Sequence, residues 1–412
     1  MNNSALLAII ALSIPIGLPA QDQVTVFRGA RILSARGAPI EQGILVISSG
    51  KIQTLGGMDT SIPEGAKIID LQGKTITPGL VDAGTTLGLD QNNANEQGAE
   101  VTPQMRVIDA IDPADPRFAR IRRHGVTTVQ VNPGNKNVIG GLGAVLKTSG
   151  KTVSEMLLRD ESGLRMTMGR EAASGNRAIR GGAPDSIYYR RPTTRMGVIW
   201  TARKAFYDAM EYREQRTIAD GDSPSLGGDS GMEVLVRVLD REITVHATTH
   251  AEQDIRTALR LAAEFGYKTL LEEATEAWRV AKEIKDAGVK VLISSPSVQE
   301  SVDSSQRDGA EVRLSTLNLL AEAGVPFAIH TGSSIGSMHL INEAMFALRN
   351  GLSREQALAA ITRIPAEILG IDDRVGSLSP GLDADFVIWN GDPFAPTTRV
   401  EFVYINGQEV AR

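Results

Sequence analysis

Five histidines carry most of the chemistry open to this 412-residue chain: His124, His246, His250, His330 and His339. Two short apolar stretches, Val245-His246-Ala247-Thr248-Thr249-His250 and Ala328-Ile329-His330, end in imidazoles, and Leu271-Glu272-Glu273 ends in carboxylates. Side chains alternate along a strand, so His246, Thr248 and His250 share a face, and His330 points the same way relative to Gly332. Imidazole and carboxylate are donors that zinc accepts. His246, His250, Glu273 and His330 therefore define a candidate cleft, and His250, Glu273 and His330 an alternative zinc site. The competing reading, which we prefer, is that these histidines are hydrogen-bonded fillers of a cavity that holds no metal. His124, just before Gly125, reads as a helix cap. Ser294, Ser295, Thr85, Thr86 and Thr331 offer hydroxyl nucleophiles, but no Gly-x-Ser-x-Gly or Ser-x-x-Lys motif activates one. Cysteine is absent, which excludes disulfides, thiolate metal sites and a thiol nucleophile.

These groups must be positioned by elements that the rest of the chain supplies. From Pro78 onward, β-rich stretches alternate with helical periodicity, the pattern of βα units on a parallel sheet. Val126–Val131 and Ile243–Ala247 read as strands, with further strands over 268–271, 290–293 and 325–329. Helices are expected over 196–216, 252–264, 277–286, 314–323 and 341–348. Several end at a glycine able to take the left-handed conformation of a helix end. Ser353 with Gln356 marks a capping-box start. Gly140-Gly141-Leu142-Gly143 is read as leading into a strand at Ala144–Thr148, and the Gly/Arg/Ser/Pro-rich stretch 169–194 as a long excursion. Before Pro78 the chain is β-rich, with hairpins expected at Ser49-Gly50-Lys51 and at Gln72-Gly73; after Asp372 it returns to β. The expected fold is α/β: a (β/α)8 TIM-like barrel (79–375) with a small discontinuous β-sandwich domain built from 21–78 and 376–412.

Composition narrows the function. Apolar residues make up 42% and charged residues 22%, enough for a large core plus a smaller unit. The formal net charge is −6 and no basic stripe occurs, which argues against a nucleic-acid partner. Arg120, Arg122 and Arg123 read as the solvated end of a helix. Ala5–Leu18 is an apolar run ending at Leu18-Pro19-Ala20 before Gln21-Asp22, the shape of a signal peptide (1–20), although no Lys or Arg precedes it. The expected location is periplasmic or secreted, with no membrane span after signal cleavage.

Two stretches carry a resemblance. Thr77-Pro78-Gly79-Leu80-Val81-Asp82 resembles the start of the barrel in the amidohydrolase superfamily. Ile364-Pro365-Ala366-Glu367-Ile368-Leu369-Gly370, with Arg374-Val375-Gly376-Ser377-Leu378-Ser379-Pro380-Gly381 and Ala384-Asp385-Phe386-Val387-Ile388-Trp389, resembles its C-terminal signature. Ala99–Gln104 and Asn137–Gly141 are similar to exported, imidazolonepropionase-related members. The resemblance implies a metal at the C-terminal ends of the strands. Its ligands come from His-x-His on strand 1, often a carboxylated Lys, a His on strands 5 and 6, and an Asp on strand 8. The metal lowers the pKa of bound water and the Asp takes its proton. In this chain those places fall on Gly84, Thr86, Thr248, Glu273 and Gly332, and neither Lys147 nor Arg165 can be assigned the carboxylated-Lys role. With those groups replaced, the chain is expected to be a pseudoenzyme with no cofactor, a binding subunit for a small-molecule ligand. It would act as a homo-oligomer or beside an active amidohydrolase paralogue. The alternative is a divergent hydrolase of cyclic amide or dipeptide C–N bonds through a rearranged zinc site.

Overall fold

The computed structural model describes residues 24–411, apart from 91–93, 97, 176–191, 220–228, 295, 297–298, 300–306 and 333–338. The signal segment, most of the 169–194 excursion and Ser295 lie outside the described residues.

The chain opens with β1 (Thr25–Ile32), β2 (Ile40–Ser48) and β3 (Lys51–Gly56). Ser49 and Gly50 form the two-residue turn between β2 and β3, both at positive φ (52° and 74°), which suits the twist of a hairpin. The second expected hairpin is not one. β4 (Lys67–Asp70) and β5 (Thr75–Pro78) both lie parallel to β1, β4 on Thr25–Arg28 and β5 on Arg31–Ile32. A short turn, closed by the Lys74 N–H donating to the Leu71 carbonyl, carries the chain onward along one edge instead of reversing it.

Eight strands then make the second sheet, in the order in which they occur: β6 (Leu80–Thr85), β7 (Val126–Val131), β8 (Ile139–Lys147), β9 (Leu157–Thr167), β10 (Val245–Thr249), β11 (Thr269–Glu273), β12 (Val291–Ser294) and β13 (Phe327–His330). β6–β7 and β9 through β13 pair in parallel, as βα units require. β8 departs from the expectation: it is antiparallel to both neighbours, so the ring is a TIM-like barrel with one reversed strand. The Gly-rich run is part of β8 rather than a lead-in. A Cβ at Gly141 would lie 2.3 Å from the Met105 carbonyl oxygen, so the approach of that loop requires glycine. β9 escaped the sequence reading because Arg159, Asp160, Glu161 and Arg165 break its apolar alternation. The helix expected over 277–286 is a single turn at Ala277–Arg279 followed by Ala281–Asp286.

β6 and β13 are the ends of the sheet order, and side chains close the ring between them. The Thr331 N–H and hydroxyl donate to the Asp82 carboxyl at 3.1 and 2.6 Å. Val81, Ala83, Val145, Leu270, Leu292 and Ala328 fill the lower interior. Helices including Arg195–Ala219, Ser230–Leu239 and Glu252–Phe265 pack outside against the main core.

The chain returns through β14 (Phe386–Trp389), β15 (Val400–Ile405) and β16 (Gln408–Ala411). β14 pairs antiparallel with β5, and the first sheet runs β16-β15-β14-β5-β1-β2-β3. It is one continuous sheet rather than the two layers of a sandwich. Phe27 meets Phe386 and Tyr404 at 5.0 and 5.2 Å between ring centres although β5 separates their strands, so the sheet curls over its own core. Among the described residues no helix is long and apolar enough to cross a membrane.

Candidate functional site at the barrel mouth

The C-terminal ends of the parallel strands surround an open cleft lined among others by Gly84, Thr86, Asn132, Arg165, Glu272, Glu273, His330 and Gly332. Register places the inward side chains. Arg165 pairs with His246 and Thr167 with Thr248 across β9 and β10. Thr248 pairs with Glu272 on β11, and Ser294 with His330 across β12 and β13.

Glu272 is the hub of the floor. It forms an ion pair with Arg165, accepts from Asn132 Nδ2 at 3.1 Å and lies 2.9 Å from His246 Nδ1. Burial, reinforced by Arg165 and Arg159, pushes the His246 pKa down to about 3, so this imidazole is neutral. Its ring packs on Gly163, where a Cβ would come within 2.2 Å of Nε2. His246 is thus a structural residue of the floor.

The rim is built differently. Glu273 and Ala274 both have positive φ (62° and 36°), a strained end to β11. Burial pushes the Glu273 carboxyl up, but His330, His250, a hydrogen bond from Ser294 and Arg165 together outweigh it and hold the pKa below the ordinary range. His330 Nε2 stands 3.9 Å from Glu273 Oε1, and neither ring nitrogen of His330 has a hydrogen-bond partner among the described residues. His250, just beyond β10, places Nδ1 2.8 Å from the Thr275 hydroxyl, and burial lowers its pKa. On the helix Arg170–Gly175, Glu171 lies 3.9 Å from His250 Nε2. Burial and repulsion from Glu273 and Asp308 raise its pKa to about 8, against the pull of Arg165 and Lys136. Burial also raises Asp82, against the hydrogen bonds from Thr331 and the nearby His330.

The structure therefore brings Gly84, Thr86, Glu273, His330 and Gly332 together at the mouth, with Thr248 buried beside Glu272. His246 is drawn into the floor and His250 towards Thr275. Lys147 lies at the opposite end: because β8 is reversed, its last residue is at the barrel base, where Nζ meets Asp383 at 2.7 Å, Asp385 at 3.0 Å and Asn406 at 2.5 Å. Arg165 is at the mouth. His124 is not the cap of its helix, whose C-cap is Arg123; its ring packs on His339, 3.9 Å between centres. Arg122 is not fully solvated either, since it donates to the Thr148 carbonyl. Sequence reading overlooked Glu272, Asn132 and Glu171. Strand parity could have found Glu272, the register partner of Thr248; nothing local marks the other two.

The metal expected of the fold can be tested against these donors. Gly84 and Gly332 offer no side-chain donor, Thr86 and Thr248 only hydroxyls, and Glu273 a single carboxylate. A Cβ at Gly84 would lie 2.9 Å from the His330 ring, so that imidazole fills the space a ligand at 84 would use. Among the described residues no group of three or more His, Cys, Asp or Glu side chains is arranged to hold a metal ion. The residues at these positions do not fit the four-donor sites that zinc prefers.

Comparison with known proteins agrees with the architecture. The chain is similar to the amidohydrolase tasK of Hapsidospora irregularis, 25% identical over 395 residues, covering 89% of this chain but 39% of that one. It is similar to the imidazolonepropionase of Colwellia psychrerythraea, 27% identical over 386 residues, covering 85% of this chain and 86% of that one. A crystal structure of an amidohydrolase from Thermotoga maritima superposes with a TM-score of 0.85 at 31% identity, covering 94% of this chain and 99% of that one. The profile described as "Amidohydrolase family" matches residues 121–410. On the barrel, the returning sheet and this match, the chain belongs to the amidohydrolase family.

Proposed function

We propose that this protein is a family member that has exchanged metal-assisted hydrolysis for ligand binding at the barrel mouth. It would act after export, alone or as the partner of an active paralogue. The observation that carries this reading is the His330 imidazole seated against Gly84. It is joined by Gly332, which offers no carboxylate to take a proton from water. Each altered position removes a different part of the family's chemistry, while the polar floor around Glu272 keeps the cleft shaped and water-accessible. The buried Arg165–Glu272–His246 network supports a binding surface, because its ion pair and hydrogen bonds hold the groups above it in place.

A second reading is supported by the Ser294 hydrogen bond to Glu273 and by the likeness to imidazolonepropionase: a divergent hydrolase of C–N bonds in cyclic amides or dipeptides. One experiment separates the two. Protein purified without chelator or added metal is analysed for bound transition metals and assayed on amides, lactams and dipeptides. The binding reading expects substoichiometric metal and no turnover. A stoichiometric metal lost in Glu273→Ala, together with turnover, would establish the hydrolase instead.

A further inference from the structure

The mouth holds carboxylates beside cations. Arg165 is matched by Glu272, and Arg195 serves both Asp254 and Asp308. Among the described residues, Lys136 is a further cation near Glu171, and Arg307 one near His250. Burial is the main cause of the raised Glu171 pKa, with repulsion from Glu273 and Asp308 adding to it.

A second observation points to an occupant. His330 is 3% exposed, lines the cleft and has both ring nitrogens without a hydrogen-bond partner among the described residues. Gly84 fixes the ring from one side. Its Nε2 stands 3.9 Å from Glu273 Oε1, too far for a hydrogen bond between the two and close enough for one donor group to bridge both. A group that donates at least two hydrogens and carries positive charge can reach a ring nitrogen of His330 and the Glu273 carboxylate together. An anion placed there would meet Glu272 and Glu273.

We propose that the cleft binds small primary amines, with the ammonium seated between Glu273 Oε1 and His330 Nε2. This deepens the ligand-binding reading of the same cleft, yet it holds whether or not the protein also hydrolyses anything.

The test is isothermal titration calorimetry on chelator-treated, full-length protein at fixed ionic strength. Three probes are used: n-butylammonium chloride, tetramethylammonium chloride and sodium butyrate. Saturable binding of n-butylammonium alone is expected, because tetramethylammonium has the charge without N–H donors and butyrate has a similar chain with the opposite charge. Glu273→Gln, checked for folding by circular dichroism, is expected to weaken it about tenfold or more through loss of a charge-assisted hydrogen bond. Equal heats from tetramethylammonium, saturable binding of butyrate, no binding of n-butylammonium, or undiminished affinity in Glu273→Gln would each overturn the proposal. Where Glu273→Gln does not fold, the three-probe comparison on the unaltered protein decides alone. Because metal is stripped beforehand, a failure here leaves the metal and turnover results untouched.

Discussion

Gly84 lies so close to His330 that its missing Cβ would sit 2.9 Å from the imidazole. Gly84→Ala must move that ring or bend β6, and is expected to lower stability by about 1–3 kcal/mol in denaturant unfolding. In a His330→Ala background most of that loss should vanish; an unchanged loss would show that the ring does not occupy the space. Glu171 gives a pH signature. Its folded pKa of about 8 exceeds the ordinary 4.5, so the folded state binds the extra proton between those values, and stability falls as pH rises through that window. Glu171→Gln should match the unaltered protein near pH 4 and become progressively the more stable of the two up to pH 8, read as a difference in urea midpoints. The residue scale also shows what sequence could and could not reveal. Gly84, Thr86, Glu273, His330 and Gly332 do meet at the mouth, because strand parity and motif spacing locate them. Their partners Asn132 and Glu171 come from a loop and a short helix whose approach depends on tertiary packing, which no local pattern encodes.

At the scale of elements, β8 decides the most. Its reversal sends Lys147 to the barrel base, where the ammonium is enclosed by Asp383, Asp385 and Asn406 from the returning part of the first sheet. Lys147→Met would leave two buried carboxylates without their shared cation, and a loss of about 3–5 kcal/mol is expected on denaturation. Sequence periodicity showed β7, β10 and β13 but neither the direction of β8 nor the presence of β9. Glycine in β8 and charge in β9 erase the alternation by which strands are read. The ring's closure is a second point for test. Thr331→Val removes a hydroxyl that donates to buried Asp82 and is expected to cost about 1–3 kcal/mol. Amide exchange should quicken first in β6 and β13; uniform change around the barrel would argue against a seam.

For the whole molecule, the junction between barrel and sheet should set acid tolerance. Burial raises the Asp383 pKa, but Arg374, Lys147 and Lys51 outweigh it and hold it at about 2, below the ordinary 3.8. The stability this contributes is present above pH 4 and is lost as pH falls through 2. Asp383→Asn should therefore destabilise the protein at pH 7 and flatten its acid unfolding between those values, followed by circular dichroism. The architecture at this scale was legible in outline: barrel, flanking β segments and their joining from both ends are all implied by the alternation of patterns along the chain. The continuity of the small sheet was not, because β4 and β5 look like a hairpin until β1 is seen to pair with both. That joining has a consequence for the order of events in synthesis. The Trp389 indole N–H donates to the Thr77 hydroxyl across 312 positions of sequence. Emerging from the ribosome, β1 to β5 would wait through the making of the entire barrel before Phe386 and Tyr404 arrive to cover Phe27. Until then the chain carries an unfinished apolar face through most of its translation.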